Sequence, residues 1–384
     1  MAHPAGLRPA RSMSPAIRRI AAAAVGPDIP RERYTEALDA PYTTTTIVWV
    51  EDAEGAVGMG GFDADSFGDF DLTGLEQVRT AARPLLGREA DDRKAVFDAI
   101  RWHGVNPFPP AAAGAIDVAL WDLAARRAGA PLFRFLGGTR DEIPAYASVP
   151  TLPDLEAYLG MLEEVVELGF PAAKLHASGD PARDASLHRA VHERLPGLAL
   201  IHDAEGVYDL DDAIEVGRAL DETGCRWFEA PLSDFDLEGY RRVRAAIRTP
   251  VVPAGDAVWE VRQFREALGD PPWDALRSEV AHLGGVTPAI ALCELATERD
   301  LEVEWVSYGM PLVQAANLHV MLAFDRTSYY EQAWPAEPWE FGAIDPIRTT
   351  GGKVVVPSGP GLGIEMDPDA VAHATVGAFE LLTP

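Results

Sequence analysis

Three short stretches decide the fold of this chain: LALIHDAEG at 198–206, CRWFEAPL at 225–232 and TPVVPAGDA at 249–257. Each carries an acid at the end of an apolar run, namely Asp203, Glu229 and Asp256, followed by a small or turn-forming residue. The acids lie 26 and 27 residues apart, about the length of one strand–loop–helix–loop unit of a (β/α) barrel. Carboxylates at the C-terminal ends of three consecutive parallel strands converge on one point at the barrel mouth. Left alone they would repel one another and resist desolvation. A hard divalent cation with oxygen ligands resolves that conflict, and Mg²⁺ meets the description. The competing explanation, three unrelated loop acids in a chain with 60 Asp and Glu, does not account for the shared strand-end context.

Outward from these stretches the rhythm continues. Strand-like runs recur at IPAYASV, FPAAKLHA, LALIHDA, CRWFEA, TPVVPAG, ALRSEVA, LEVEWVS and TSYYEQA, spanning 143–333. Helical stretches fall between them at Leu155–Leu168, Ala185–Leu195, Leu210–Thr223, Leu237–Ile247 and Thr287–Arg299. Eight strands alternating with helices predict a parallel α/β barrel. Before it, TTTTIVWVEDAEGAVGMGGF has the composition of a hairpin turning at Asp52–Gly55. Leu75–Leu86 and Asp91–Trp102 have helical periodicity, and the helix within 110–138 is closed by Gly129 and Pro131. The expected organisation is a disordered tail at 1–14, a capping domain at 15–140, the barrel at 141–350, and a β-rich segment at 351–384 that packs back on the capping domain.

The bulk composition excludes several classes. A formal charge of −27 argues against nucleic acid and anionic membranes, and mostly keeps the surface soluble. No apolar stretch is long enough to span a bilayer. Two cysteines, Cys225 and Cys293, sit in apolar contexts without metal-type spacing, which suits a cytoplasmic protein lacking disulfides.

Strand ends are the catalytic address of a barrel. Strand two ends in Lys174-Leu175-His176, and alternation points Lys174 and His176 inward together. Strand three supplies Asp203 and then Glu205, strand four Glu229, strand five Asp256 and strand six Glu279. Strand seven ends near Ser307 and Tyr308, and strand eight at Glu331. A metal beside a basic group suits removal of a proton alpha to a carboxylate. The cation takes the charge of the forming enolate and the neighbouring side chain takes the proton. The charge on Lys174 favours a neutral, basic His176. The plainer alternatives are a salt-bridged Lys174 and a packed core His176. His202 is expected to face the surrounding helices, and His319 to be packed.

Taken together, the chain resembles the enolase superfamily in its mandelate racemase and muconate-lactonizing branch. AIDVALWDLAARRAGAPLFRFLGG (115–138) is similar to the family's segment joining cap to barrel, and GFPAAKLHASG (169–179) to its strand-two lysine motif. DAEGVYDLDDAIEVGRAL, WFEAPL and TPVVPAGD resemble the metal-ligand strands. HLGGVTPAIALCELA (282–296) resembles the double-glycine turn after strand six, and GKVVVPSGPGLGIEMD (352–367) the closing segment. The resemblance implies an α+β capping domain over a modified (β/α)₇β barrel, Mg²⁺ on Asp203, Glu229 and Asp256, a small-molecule carboxylate substrate, and a homo-oligomer.

The departures bear on the reaction. The family's second strand-two lysine, commonly the base, is His176 here. Glu279 stands where racemase-like members have an aspartate paired with a strand-seven histidine, and no histidine occurs around Ser307–Tyr308. Lactonizing members put a lysine at the position of Glu279. Glu331 matches an acid that donates a hydrogen bond to the substrate carboxylate. Glu205 replaces a usual asparagine, and Gly58-Met59-Gly60-Gly61 replaces a Gly-Trp-Gly-Glu run. One base and no second base favour a dehydratase of a hydroxy or sugar acid, with His176 as base and Tyr308 or Glu331 as proton donor. A racemase, epimerase or cycloisomerase is the alternative, and a metal-binding scaffold without catalysis the third reading.

Overall fold

The computed structural model describes residues 14–26, 44–64, 70–103, 111–255 and 257–383. Most of the expected tail, and the expected metal ligand Asp256, lie outside them.

The chain opens with an antiparallel sheet of β1 (Ile17–Val25), β2 (Thr44–Asp52) and β3 (Val57–Ala64), followed by helices α1 (Phe70–Ala82), α2 (Arg93–His103) and α3 (Ala111–Arg127). The hairpin of β2 and β3 turns at the anticipated place: Gly55 N–H donates to Asp52 O, and the Asp52 carboxylate accepts from Glu54 and Ala56 N–H. The strand IRRIAAAAV was not anticipated, because an alanine run has poor strand propensity. It forms because β1 is buried on both faces. Ile20, Ala22 and Ala24 join the capping core, whereas Ala23 and Val25 join the core shared with the barrel, so small side chains fit.

Glycine explains how α3 lies on this sheet. A Cβ at Gly58 or Gly60 would come within 2.1 Å of Ala119 O or Ala115 O respectively. The Gly58-Met59-Gly60 run is thus a backbone-to-helix contact that any larger residue would open.

After the short α4 (Leu132–Phe135) the barrel runs β4 (Glu142–Val149), α5 (Leu155–Glu167), β5 (Ala172–His176), α6 (Pro181–Arg194), β6 (Ala199–Asp203), α7 (Leu210–Thr223), β7 (Phe228–Glu229), α8 (Leu237–Ala246), β8 (Val251–Val252), α9 (Val261–Ala267), β9 (Leu276–Ser278), α10 (Val286–Arg299), β10 (Val303–Trp305), α11 (Pro311–Ala323) and β11 (Tyr330–Ala333). This is a (β/α)₇β barrel. Parallel ladders join β11 to β4 and run on through β8, and β9 pairs with β10. Single bonds bridge the remaining seams, from Asp274 N–H to Val251 O and from Val303 N–H to Arg326 O. Aspartates cap α5, α6, α7 and α8: Asp154, Asp180, Asp209 and Asp236 each accept from first-turn N–H groups. Part of the chain's acidity is therefore local helix chemistry.

The hairpin strands β12 (Thr349–Thr350) and β13 (Lys353–Val355) pair onto β4, and after α12 (Pro368–Ala374) the last strand β14 (Thr375–Leu382) pairs antiparallel with β1. Among the described residues no helix is long and apolar enough to cross a membrane.

Candidate active site

Strand alternation builds the barrel interior in layers. Tyr146, Ala172, Ile201, Trp227, Val252 and Ala275 form an apolar floor. Two residues further along four of these strands come Lys174, Asp203, Glu229 and Arg277, all buried, joined by Glu331 from β11. Registers place His176 beside Asp203 and Asp203 beside Glu229.

The charges interlock. Lys174 Nζ lies 3.0 Å from Asp203 Oδ2, 3.2 Å from Glu229 Oε1 and 2.7 Å from Glu331 Oε1. Arg277 Nη2 lies 2.8 Å from Glu229 Oε1 and 2.9 Å from Glu331 Oε2. Burial alone would discharge Lys174, but Glu229 and Glu331 beside it hold its pKa well above the ordinary value. Lys174 is therefore a fixed charge rather than a base. Burial also opposes ionisation of Glu331, yet Lys174 and Arg277 bring its pKa down to about 2. Lys174 and Arg277 hold its two oxygens at 2.7 and 2.9 Å, the place of an acceptor.

Asp203 and Glu229 stand side by side at the ends of β6 and β7, and burial acts on them in opposite company. Burial, reinforced by the charge of Asp203, pushes Glu229 up to about 8. Asp203 is held low, because Lys174 overcomes the burial that opposes its ionisation. The indole N–H of Trp227 donates to Glu229 Oε2 at 3.1 Å. Two adjacent buried carboxylates suit a divalent cation, whose charge offsets their mutual repulsion. Ligand atoms of His176, Asp203 and Glu205 lie within 4.8 Å of one another, a second arrangement able to hold a metal.

The backbone sets the tautomer of His176. Its Nδ1 lies 2.7 Å from Val149 O, and a carbonyl can only accept, so Nδ1 carries the proton and Nε2 the lone pair. Nε2 sits 3.6 Å from Asp203 Oδ2. Burial, with Lys174 adding to it, lowers the imidazole to about 4, so the ring is neutral.

The other expected residues are placed differently. Glu279 uses both oxygens on the turn after β9: Oε1 accepts from Ala281 N–H and Asn317 Nδ2, and Oε2 from His282 N–H. Its partners are those of a turn cap rather than the Lys174 cluster. Tyr308 is half-buried, its ring edge-on to Trp339 with centroids 4.4 Å apart. The preceding Ser307 hydroxyl bonds both Glu331 O and Glu331 N–H at 2.9 Å, tying the ends of β10 and β11 together. Glu205 has a left-handed backbone (φ 48°), and its N–H donates to Asp203 Oδ1. His319 is packed as expected, accepting from Phe133 N–H and donating to Leu362 O.

Arg277 and Trp227 escaped the sequence reading. The signal was there: each stands two residues before a singled-out acid and so shares its inward face.

Two family models match this arrangement. The enolase C-terminal domain-like family matches residues 158–370, and the mandelate racemase/muconate lactonizing enzyme N-terminal domain matches residues 37–137. This chain belongs to the enolase superfamily, in its mandelate racemase/muconate lactonizing branch. It is similar to D-galactarolactone cycloisomerase of Agrobacterium fabrum, at 30% identity over 75% of this chain and 81% of that one. It is also similar to D-gluconate dehydratase of Thermoproteus tenax, at 27% identity over 76% of this chain and 63% of that one, so the match spans under two thirds of that relative. A Pseudovibrio sp. structure described by the branch name superposes with a TM-score of 0.91 at 30% identity, covering 96% of this chain and 99% of that one. Superfamily members thus include both dehydratases and cycloisomerases.

Proposed function

We propose that this enolase-superfamily protein removes the proton alpha to the carboxylate of a hydroxy or sugar acid and eliminates the β-hydroxyl as water. The observation that carries this reading is His176, its Nδ1 held by Val149 O and its Nε2 3.6 Å from Asp203 Oδ2, beside the buried carboxylates of Asp203 and Glu229. Asp203 and Glu229, with Asp256 as the third ligand that the family resemblance implies, would hold Mg²⁺, and Glu205 lies beside Asp203 and His176. When bound, the cation supplies positive charge for the substrate carboxylate as its enolate forms.

The chain's own residues do the rest. His176 Nε2 takes the alpha proton, and the electrons of the broken C–H bond become the C=C of the enolate. Lys174, charged throughout, faces the negative charge that develops. Tyr308 donates a proton to the departing hydroxyl as the C–O bond breaks, and the enol left behind becomes a keto acid. Glu331 and Arg277 hold Lys174 and Glu229 in place. The sugar acid in the name of one relative, D-gluconate dehydratase, supports the sugar-acid class.

A cycloisomerase is the second reading, favoured by the relative at 30% identity. It uses the same proton removal but returns the proton without loss of water. Incubation of sugar acids with the protein and Mg²⁺ in D₂O separates the readings. A keto acid lighter by one water, with deuterium at its beta carbon, is the expected result. Deuterium at the alpha carbon with no loss of water favours the isomerase, and no exchange with any acid overturns both.

A further inference from the structure

Behind the strand that carries Asp203 lies a chain of buried polar groups that the proposed chemistry does not use. His202 on β6 faces outward, with Nδ1 2.9 Å from His188 Nε2 on α6 and Nε2 3.1 Å from the Tyr208 hydroxyl. Tyr208 donates at 2.5 Å to Asp184 Oδ2, four residues before His188 on the same helix. Asp184 also accepts from Ser178 N–H at 3.0 Å and from the Ser178 hydroxyl at 2.7 Å. Ser178 is two residues past His176, and His202 is the residue before Asp203.

The hydrogens run in one direction. Tyr208 has a single proton and gives it to Asp184, so its oxygen accepts from His202 Nε2–H. Both imidazoles are fully buried, which favours the neutral ring with one proton each. His202 Nδ1 then accepts from His188 Nε2–H, leaving His188 Nδ1 as a bare nitrogen. That atom is buried and has no hydrogen-bond partner. The chain begins behind the acid pair and ends on the loop that follows His176.

We propose that Asp184, Tyr208, His202 and His188 are positioning residues that fix the exit loop of β5 against β6, and so set the spacing of His176 from Asp203 and Glu205. The inference rests on the reading of Asp203 as a metal ligand. Ala177 N–H donating to Asp203 O at 2.8 Å is the front-side tie between the same two strand ends, and the relay is its rear counterpart. Outer partners of metal ligands commonly change affinity by about 10–100-fold when removed.

The test uses the full chain with Mn²⁺ as probe, its affinity read by electron paramagnetic resonance, and nitrogen-15 NMR of the histidine side chains. The unmodified protein is expected to show both His188 and His202 as Nε2–H tautomers. Tyr208→Phe is expected to weaken Mn²⁺ about tenfold and to disturb the His202 tautomer. Val191→Ala, a cavity on the same helix outside the relay, is expected to lower the melting temperature and leave affinity unchanged. The inference is overturned by an Nδ1–H tautomer at His202 in the unmodified protein. It is also overturned if Tyr208→Phe binds Mn²⁺ within twofold of the unmodified protein, or if Val191→Ala weakens Mn²⁺ as much as Tyr208→Phe. A protein that takes up no Mn²⁺ at all overturns the metal reading itself, and this inference with it.

Discussion

Two groups of buried carboxylates in this molecule are treated in opposite ways. At the joint between cap and barrel each has its own donors. Asp122 accepts from Met59 N–H, Leu362 N–H and Arg126 Nε, so strand β3, the C-terminal segment and α3 meet on one side chain. Asp117 accepts from the backbone and hydroxyl of Thr287 at the start of α10. At the barrel mouth Asp203, Glu229 and Glu331 crowd around two cations, Lys174 and Arg277. A satisfied carboxylate at a joint stabilises the fold, whereas a crowded set at the strand ends suits metal or substrate chemistry.

The largest expected difference comes from trading one acid in each place. Asp122→Ala should destabilise the protein by about 3–5 kcal/mol, since it strands Arg126 and two backbone N–H groups. Glu229→Gln should leave stability unchanged or raised in urea unfolding, while alpha-proton exchange falls by about 10²–10³-fold. If Glu229→Gln were the more destabilising of the two, the contrast between joint and mouth would fail.

His176→Ala sharpens the mouth. As base, its loss should lower exchange by about 10²–10⁴-fold while Mg²⁺ binding, followed by calorimetry, survives. Loss of Mg²⁺ binding would make His176 a ligand instead, in the His176–Asp203–Glu205 arrangement. Next in size is the metal itself. At 100 times its Kd it should raise the unfolding free energy by about 2.7 kcal/mol, a gain that Glu229→Gln should abolish.

Asp117 tests the joint by pH. Burial raises its carboxyl to about 7, against the hydrogen bonds from Thr287. The folded state then holds this proton more tightly than the unfolded chain. The contribution is complete below the unfolded pKa near 4 and is lost as pH rises through about 7, by about 4 kcal/mol at most. Asp117→Asn should flatten the melting temperature across that window, and an unchanged slope would show that Asp117 is ionised throughout. Smallest of all is the exposed pair of Arg19 and Glu380 between β1 and β14, where Arg19→Gln should cost less than about 1 kcal/mol.

Much of this was legible in the sequence because strand alternation and strand-end position are local properties. The alternation in AAKLH, ALIHD and WFE is enough to send Lys174, His176, Asp203 and Glu229 to one interior, and His202 away from it. The strand β1 was not legible, since its alanines read as strand only once β2, β14, α1 and the barrel cover them. Gly58 and Gly60 looked like a departure from a family pattern, and became intelligible only with α3 pressed on their backbone.

The sequence by itself determined the barrel, its companion domain and which acids stand at the strand ends, because period and spacing belong to neighbouring residues. Only the tertiary structure decided what each acid is free to do. It put Arg277 between Glu229 and Glu331, spent Glu279 on a turn, set Asp203 beside Glu229, and pinned the tautomer of His176 with Val149 O. Those outcomes are set by distances of about 3 Å between residues tens of positions apart, and Coulomb and hydrogen-bond energies depend on separation in space.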